Sequence, residues 1–392
     1  MEIKTAARLQ HFQTGIFAAL NQKKEAFLKT GRKMYNLFIG TPDFPVAPHI
    51  RQALIDAAAD PENWHYSLRD TPELLEAVQS YYRNRFGVNI ETSQIMSVAG
   101  SQEGVAHLGL ALCDPGDVVL LPNPGYPIFE VGAFLGDAEL YFYDLKEEND
   151  FLPDFQAIPE EIARKAKYIM VSYPYNPVCA IAPDHFYEDL IAFADRYNII
   201  IVHDNAYSDI IYDGAYGGSF LNYPGAMEHG IEFFSLSKSF NLTGARVSFV
   251  IGNQKIIDAM KLLRSQYDFG MFLPVQKAAI AALTGPLEPV REQCRMYQER
   301  RDALCSGLRS IGWNVRDSKG TMFAWVRIPE GFSSSQEFCM ELLQETGVLC
   351  TPGSAFGSCG EGYVRFALVL PPEEIREMIQ VIDQSGILRS KK

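Results

Sequence analysis

Short apolar segments alternate with helix-like segments along most of the chain. Seven of the apolar segments are predicted to be β-strands: 95–101, 118–124, 139–145, 168–174, 199–205, 232–237 and 246–252. Several of them are apolar at consecutive positions, as expected for strands whose two faces are both covered. The alternation predicts an α/β fold with a mostly parallel seven-stranded sheet flanked by helices.

Helix signals between the strands support this pattern, and the pattern changes near residue 285. In "TPELLEAVQSYYRNRFG", Thr71 is a predicted N-cap, Pro72 the first helical residue and Gly87 the stop. The last hundred residues alternate predicted helices with the strands "GTMFAWVRIP" and "GYVRFALVL". We predict a large domain over 46–285 and a smaller α+β domain over 286–392. Residues 1–45 are predicted to form an N-terminal arm and part of the small domain.

Composition excludes several classes of protein. The chain has 392 residues and a formal net charge of -13, which argues against a nucleic-acid or anionic-membrane surface. Its seven cysteines form no C-x-x-C pair, so we expect neither a disulfide framework nor a metal site. The first residues lack the apolar core of a signal peptide, and no segment is apolar enough to span a bilayer. We therefore expect a cytoplasmic protein.

Polar side chains follow the predicted strands, where ligands bind in parallel α/β sheets. His203 is set apart, because it precedes Asp204 in a strand and should point to the other face. The residues that follow strands are Ser101, Gln102, Tyr126, Asn176, Asp204, Tyr207 and Lys238.

This set of side chains suits a phosphorylated aldehyde. Ser101 and Gln102 open a helix, whose N-terminal N–H groups favour a phosphate, and Ser235 and Arg246 could complete the cage. Lys238 could form a Schiff base with the aldehyde. Pyridoxal 5'-phosphate is such an aldehyde, and it needs an aspartate at its ring nitrogen, for which Asp204 is the candidate.

Several motifs carry a family resemblance in the expected order. They are "GTPDFP", "GSQEG", "PNPGYP", "YPYNPVCA", "HDNAYSDIIYD", "SLSKSFNLTGAR" and "PGSAFG" followed by "GYVRFAL". Over nearly its whole length the chain resembles the class I/II pyridoxal-phosphate-dependent aminotransferases of fold type I, the aspartate aminotransferase superfamily. It departs from the family pattern at Val178 and Cys179, where the family usually has Thr-Gly.

The resemblance implies roles for the residues that would contact the cofactor ring. Lys238 would bind the cofactor aldehyde and later move a proton, and Asp204 would keep the ring nitrogen protonated. Tyr207 and Asn176 would hydrogen-bond the ring oxygen, and Tyr126 would stack on the ring face.

The resemblance also implies a phosphate site, a substrate site and a dimer. Arg365 would bind the substrate carboxylate, with Gly40 and Asn176 nearby. Tyr66 matches a tyrosine that reaches the partner subunit's phosphate, so a homodimer with shared sites is expected. The phosphate would be held by Ser101, Gln102, Ser235, Ser237 and Arg246.

The predicted function is transfer of an amino group from an L-amino acid to a 2-oxo acid by a ping-pong mechanism. The same residues would also serve a C–S lyase or an aminocyclopropane-carboxylate-synthase-like enzyme. A binding protein that has lost turnover is a further alternative, although it would not need Lys238. Residues 267–283 resemble the branch of alanine and LL-diaminopimelate aminotransferases, whereas Gly15 departs from that branch and disfavours diaminopimelate.

A remote alternative is a serine hydrolase. "SLSK" at 235–238 is formally the S-x-x-K motif of penicillin-binding proteins and class A β-lactamases. The K-T-G sequence at 29–31 precedes it, whereas that family places K-T-G after it, and no S-D-N lies between them.

Overall fold

The computed structural model describes residue 1 and residues 3–12, 15–215 and 217–388. The strands are β1 Tyr35–Asn36, β2 Ile95–Val98, β3 Val118–Asn123, β4 Glu139–Asp144, β5 Ala166–Ser172, β6 Ile200–Asp204, β7 Gly230–Ser235, β8 Ser248–Gly252, β9 Phe323–Arg327, β10 Val348–Leu349, β11 Thr351–Pro352 and β12 Tyr363–Ala367. The helices are α1 Gly15–Leu28, α2 Pro48–Ala59, α3 Pro72–Phe86, α4 Ser101–Leu112, α5 Ile128–Leu135, α6 Glu160–Ala163, α7 Asp184–Tyr197, α8 Ala226–His229, α9 Leu236–Ser239, α10 Gln254–Arg264, α11 Leu273–Thr284, α12 Glu288–Ser310, α13 Ser335–Thr346 and α14 Pro372–Ser385.

Seven strands form the central sheet, in the order β2-β8-β7-β6-β5-β3-β4. They are the seven segments predicted from the apolar pattern, so the predicted fold class is confirmed. Every neighbouring pair is parallel except those of β8, which runs antiparallel to β2 and β7. Between β7 and β8 the helix α9 has only four residues, too few for the crossover that a parallel connection needs.

The burial of the strands follows their position in the sheet. Every residue of β3, β7 and β8 is buried, whereas in the edge strand β4 only Tyr143 is buried. Helix α3 begins and ends as predicted. The Thr71 hydroxyl accepts a hydrogen bond from the Leu74 N–H, and Gly87 ends the helix at a φ of 72°.

A second, smaller group of elements lies at the C-terminal end. Strands β11, β12 and β9 form an antiparallel sheet, and α12 and α13 pack with α14 beside it. The N-terminal region contacts this group, because β1 pairs in parallel with β10. The domain boundaries at residues 46 and 286 stay predictions. Across the described ranges, no helix is long and apolar enough to cross a membrane.

The carboxyl ends of the parallel strands meet at one edge of the central sheet. Asp204 is the last residue of β6, and it pairs in register with Ser172 at the end of β5. On its other side it pairs with Phe233 of β7, which ends two residues later at Ser235. This edge therefore brings together side chains that are far apart in sequence.

Candidate active site

Lys238 lies in the short helix α9, directly beyond the end of β7. The Ser235 hydroxyl caps this helix by accepting the Ser237 N–H at 3.2 Å. The Lys238 Nζ donates to the Gly40 carbonyl at 2.9 Å, and the Gln293 side chain donates to the Lys238 carbonyl at 2.7 Å. Burial, together with the charges of two nearby arginines, lowers the pKa of the Lys238 amine to about 8.

Asp204 is the acidic counterpart of this lysine. Burial raises the pKa of its carboxyl to about 6, although the charges of His203 and Lys238 act in the opposite direction. Its Oδ1 atom is buried and has no hydrogen-bond partner among the described residues. A buried carboxylate oxygen without a partner is costly, so this atom is placed to accept a hydrogen bond from a ligand.

Two tyrosines border the same space. Burial raises the pKa of Tyr207 well above its usual value, and it also raises the pKa of Tyr126. Both hydroxyls interact electrostatically with Asp204 and with Arg365, so the structure brings these four side chains together. Both phenols are therefore neutral hydrogen-bonding groups at physiological pH.

A chain of hydroxyl groups joins the start of α4 to the end of β7. The Ser101 N–H donates to the Ser248 hydroxyl at 3.0 Å, and that hydroxyl donates to the Ser235 hydroxyl, also at 3.0 Å. The Ser101 hydroxyl is buried without a partner in the described part of the chain. Ser248 was not predicted from the sequence, because its only signal was a serine at an interior position of an apolar strand.

Arg246 approaches the same helix start at Gly100. An added Cβ at Gly100 would lie 2.1 Å from the Arg246 Nη2, so a side chain at this position would displace the guanidinium. Arg246 Nη1 donates to the Thr243 carbonyl at 2.9 Å, and the residue is exposed. A helix N-terminus, the unpaired Ser101 hydroxyl and an arginine together form an anion site of the kind that binds phosphate.

The remaining two predicted phosphate ligands lie beside this anion site. Gln102 is exposed on the first turn of α4, next to Ser101. Ser237 is buried in α9, next to Lys238. Both are therefore close along the chain to groups of the site.

Arg365 forms a second cationic position. Its Nη1 donates to the Asn176 side-chain oxygen at 2.7 Å, while its Nε is buried and unpaired within the described residues. The guanidinium carbon lies 4.0 Å from the ring centroid of Phe323 and 4.6 Å from that of Phe356. Burial lowers the pKa of Arg365 to about 10, which keeps it cationic at neutral pH.

Phe323 was also missed from the sequence, where it was only one apolar residue of a predicted strand. An added Cβ at Gly40 would lie 2.2 Å from its ring, and Tyr207 meets the ring edge-on at 6.1 Å between centroids. Phe323 therefore fixes the distance between the Gly40 backbone, Tyr207 and Arg365.

Tyr66 is the predicted site residue that the structure does not bring to this cluster. Its side chain is 73% exposed and lies against Phe269, with ring centroids 5.1 Å apart. Gly15, whose identity disfavours diaminopimelate as a substrate, is the first residue of α1. The side chains around it lie outside the described residues, so this prediction is not tested.

The geometry disfavours a serine hydrolase, because Ser235 and Lys238 do not form a nucleophile–base pair. The Ser235 hydroxyl bonds the Ser237 N–H and the Ser248 hydroxyl, whereas the Lys238 amine bonds the Gly40 carbonyl. The arrangement suits a ligand with an anionic group at α4, a protonated nitrogen at Asp204 and a carbonyl at Lys238. Pyridoxal 5'-phosphate fits these groups.

Comparisons with known proteins identify the family of the chain. The family model "Aminotransferase class I and II" matches residues 32–382. An LL-diaminopimelate aminotransferase of Halothermothrix orenii is 40% identical over 387 residues, which cover 98% of this chain and 99% of the relative.

Solved structures give the same result. Substrate-bound BacF from Bacillus subtilis has a TM-score of 0.94 and 37% identity, and the match covers 98% of both chains. A probable N-succinyldiaminopimelate aminotransferase from Thermus thermophilus has a TM-score of 0.90 and 34% identity over 95% of this chain and 100% of its own. The chain belongs to the class I and II aminotransferases.

Proposed function

We propose that this aminotransferase binds pyridoxal 5'-phosphate through Lys238 and moves an amino group from an L-amino acid to a 2-oxo acid in two alternating half-reactions. One observation carries the proposal: a largely buried amine with a lowered pKa lies near a largely buried carboxyl with a raised pKa. The cofactor supplies an aldehyde that exchanges amino groups and a ring that withdraws electrons from the substrate α-carbon.

Lys238 both captures the aldehyde and moves the proton. With a pKa of about 8, roughly a tenth of the amine is neutral at pH 7, far more than for an ordinary lysine. The neutral form attacks a carbonyl and, once released by the substrate, accepts a proton from the α-carbon. The hydrogen bond from Nζ to Gly40 holds the amine at the edge of the sheet.

Asp204 would hold the protonated ring nitrogen with its unpaired Oδ1 atom. Because the pKa of its carboxyl is about 6, Asp204 is ionised at neutral pH and loses its charge as the pH falls through that value. Tyr207 and Asn176 would hydrogen-bond the ring oxygen, and Tyr126 would lie against the ring face.

The two arginines would divide the anionic groups between them. Arg246 would bind the phosphate together with Ser101, Gln102, Ser235 and Ser237. Ser248 would support this site, because its hydroxyl accepts a hydrogen bond from the Ser101 N–H and donates one to the Ser235 hydroxyl. Arg365 would bind the substrate α-carboxylate. Asn176 orients Arg365 from one side, and Gly40 borders the same space.

The family relationship favours amino transfer over the two lyase-type alternatives, which would use the same lysine, aspartate and arginine. The relatives at 40% identity are named LL-diaminopimelate aminotransferases, so LL-diaminopimelate is the first amino donor to test. We propose that the enzyme acts in the cytoplasm, where its seven free thiols would stay reduced.

A homodimer with shared sites is supported by an exposed apolar patch around Tyr66. The patch joins segment 64–68 to segment 269–272, because Trp64 meets Phe272 at 5.1 Å and the Leu68 N–H donates to the Phe269 carbonyl at 2.7 Å. Trp64, Leu68 and Phe269 are all well exposed in the single chain. Patches of this kind are typical of protein interfaces.

A half-reaction with single amino acids tests the function. Mixing the holoenzyme with its true donor should abolish the visible absorption of the bound aldehyde, with one 2-oxo acid released per site and no ammonia. Lys238→Ala should still bind the cofactor through the phosphate site but should show no such change. Release of ammonia would indicate a lyase instead, and unimpaired turnover by Lys238→Ala would exclude the assignment of the lysine.

Gly100→Ala tests the anion site. The added methyl group collides with the Arg246 guanidinium and occupies a φ of 87°, so cofactor affinity should fall about tenfold. Gly116→Ala is the matched control, since its φ is 96° and no atom lies within 4 Å of the added Cβ. Both variants should lose about 1 kcal/mol of stability, and equal cofactor affinity in the two would contradict the role of Arg246.

Subunit mixing tests the role of Tyr66. Lys238→Ala subunits mixed with Tyr66→Ala subunits should regain activity, because each hybrid dimer contains one site with both residues intact. If the two variants are inactive alone, the mixture should reach about a quarter of the parent activity after random exchange of subunits. A mixture no more active than its components would show that Tyr66 does not serve the partner's site.

A further inference from the structure

A buried charge pair lies directly beneath Asp204, on the opposite face of the central sheet. His203 and Glu232 are fully buried and face each other across β6 and β7, with His203 Nδ1 3.0 Å from Glu232 Oε2. His203 is the residue before Asp204, so its side chain points away from the site, as the sequence predicted. Neither side chain contacts the cofactor space.

Both oxygens of Glu232 are saturated with hydrogen-bond donors. The Tyr82 hydroxyl at 2.9 Å and the Ser219 hydroxyl at 2.8 Å bond one oxygen, and the Phe220 N–H at 3.0 Å bonds the other beside His203. A carboxyl group surrounded by donors in this way is best matched by its ionised form, whose oxygens only accept. A fully buried anion requires a cation close by, and His203 is the group in position to supply it.

The remaining neighbours of the pair cannot supply that cation. Tyr187 of α7 lies with its hydroxyl 3.4 Å from His203 Nε2, and its oxygen can accept a hydrogen bond from an imidazolium. Tyr82 of α3 faces Glu232. Across the sheet, the ionisable groups that interact with Asp204 are Lys238, Tyr126, Tyr175 and Tyr207.

We propose that His203 and Glu232 are positioning residues, which hold the Asp204 carboxylate ionised and aimed at the ring nitrogen through the charge of the imidazolium and the rigidity of β6. The inference rests on the role proposed for Asp204. The imidazolium is one residue away and stabilises the aspartate anion, whereas Glu232 destabilises it from the next strand. An imidazolium and a carboxylate together carry no net charge, but the imidazolium of His203 is closer along the chain to Asp204 than Glu232 is.

This arrangement makes the effects of two substitutions non-additive. His203→Gln leaves Glu232 as a lone buried anion, so the ionised form of Asp204 is disfavoured. His203→Gln combined with Glu232→Gln removes both charges and leaves two amides that can hydrogen-bond each other. If the pair were purely structural, the double variant would be the more disturbed protein and would show the larger effect on Asp204.

The test reads the Asp204 carboxyl directly in the full-length apoprotein. Aspartate is labelled with 13C at the side-chain carboxyl, the Asp204 resonance is assigned with Asp204→Asn, and its pH titration is followed by NMR. His203→Gln should raise the titration midpoint by about one pH unit, and the double variant should return it close to the parent value. Tyr187→Phe, which removes only the hydroxyl beside His203 Nε2, should raise the titration midpoint by a smaller amount, because the imidazolium loses one hydrogen-bond acceptor.

Two results would overturn the inference. One is an unchanged midpoint in both His203→Gln and Tyr187→Phe, the latter being available even if the former does not fold. The other is a midpoint in the double variant that stays as high as in His203→Gln.

The dissociation constant for pyridoxal 5'-phosphate then separates this inference from the proposed function. A shifted midpoint accompanied by about tenfold weaker cofactor binding supports both. A shifted midpoint with unchanged cofactor binding supports the charge pair and contradicts the proposed role of Asp204.

Discussion

Removal of water from two opposite charges is the constraint on which the active site depends. An amine and a carboxyl are both largely buried at one edge of the central sheet, and this burial moves their pKa values toward each other, to about 8 for Lys238 and about 6 for Asp204. Each group is thereby closer to its neutral form than it would be in water. A lysine in this state can act as a nucleophile and a base at neutral pH, which an exposed lysine cannot do efficiently.

The fold creates this environment because the small sheet lies against the edge of the central sheet where the parallel strands end. Asp204 and Lys238 come from the central sheet, whereas Arg365 and Phe323 come from neighbouring strands of the small sheet. Arg365 of the small sheet bonds Asn176, which follows β5 of the central sheet, and Lys238 bonds the Gly40 carbonyl of the N-terminal segment. In the proposed function, substrate binding and chemistry therefore both depend on how the two sheets are held together.

Much of this could be predicted from the sequence, because it depends on local pattern. Runs of apolar residues located all seven strands of the central sheet, and the positions of Lys238 and Asp204 after two of those strands predicted that they lie at one edge of it. Ser248, Phe323 and Glu232 could not be found in this way. Each lies inside an apolar strand, and its contact partners come from distant parts of the chain, so only the register of the sheets reveals what it touches. Tyr66 is a different case, because its proposed partner belongs to a second subunit.

The most direct measurement of the central claim is to trap the bond to the lysine. Holoenzyme is reduced with borohydride, digested and analysed by mass spectrometry for a peptide that carries the phosphopyridoxyl group. The account predicts a single modified peptide, with the group on Lys238. Modification of another lysine, or recovery of all peptides unmodified from a protein that contains one cofactor per subunit, would contradict it.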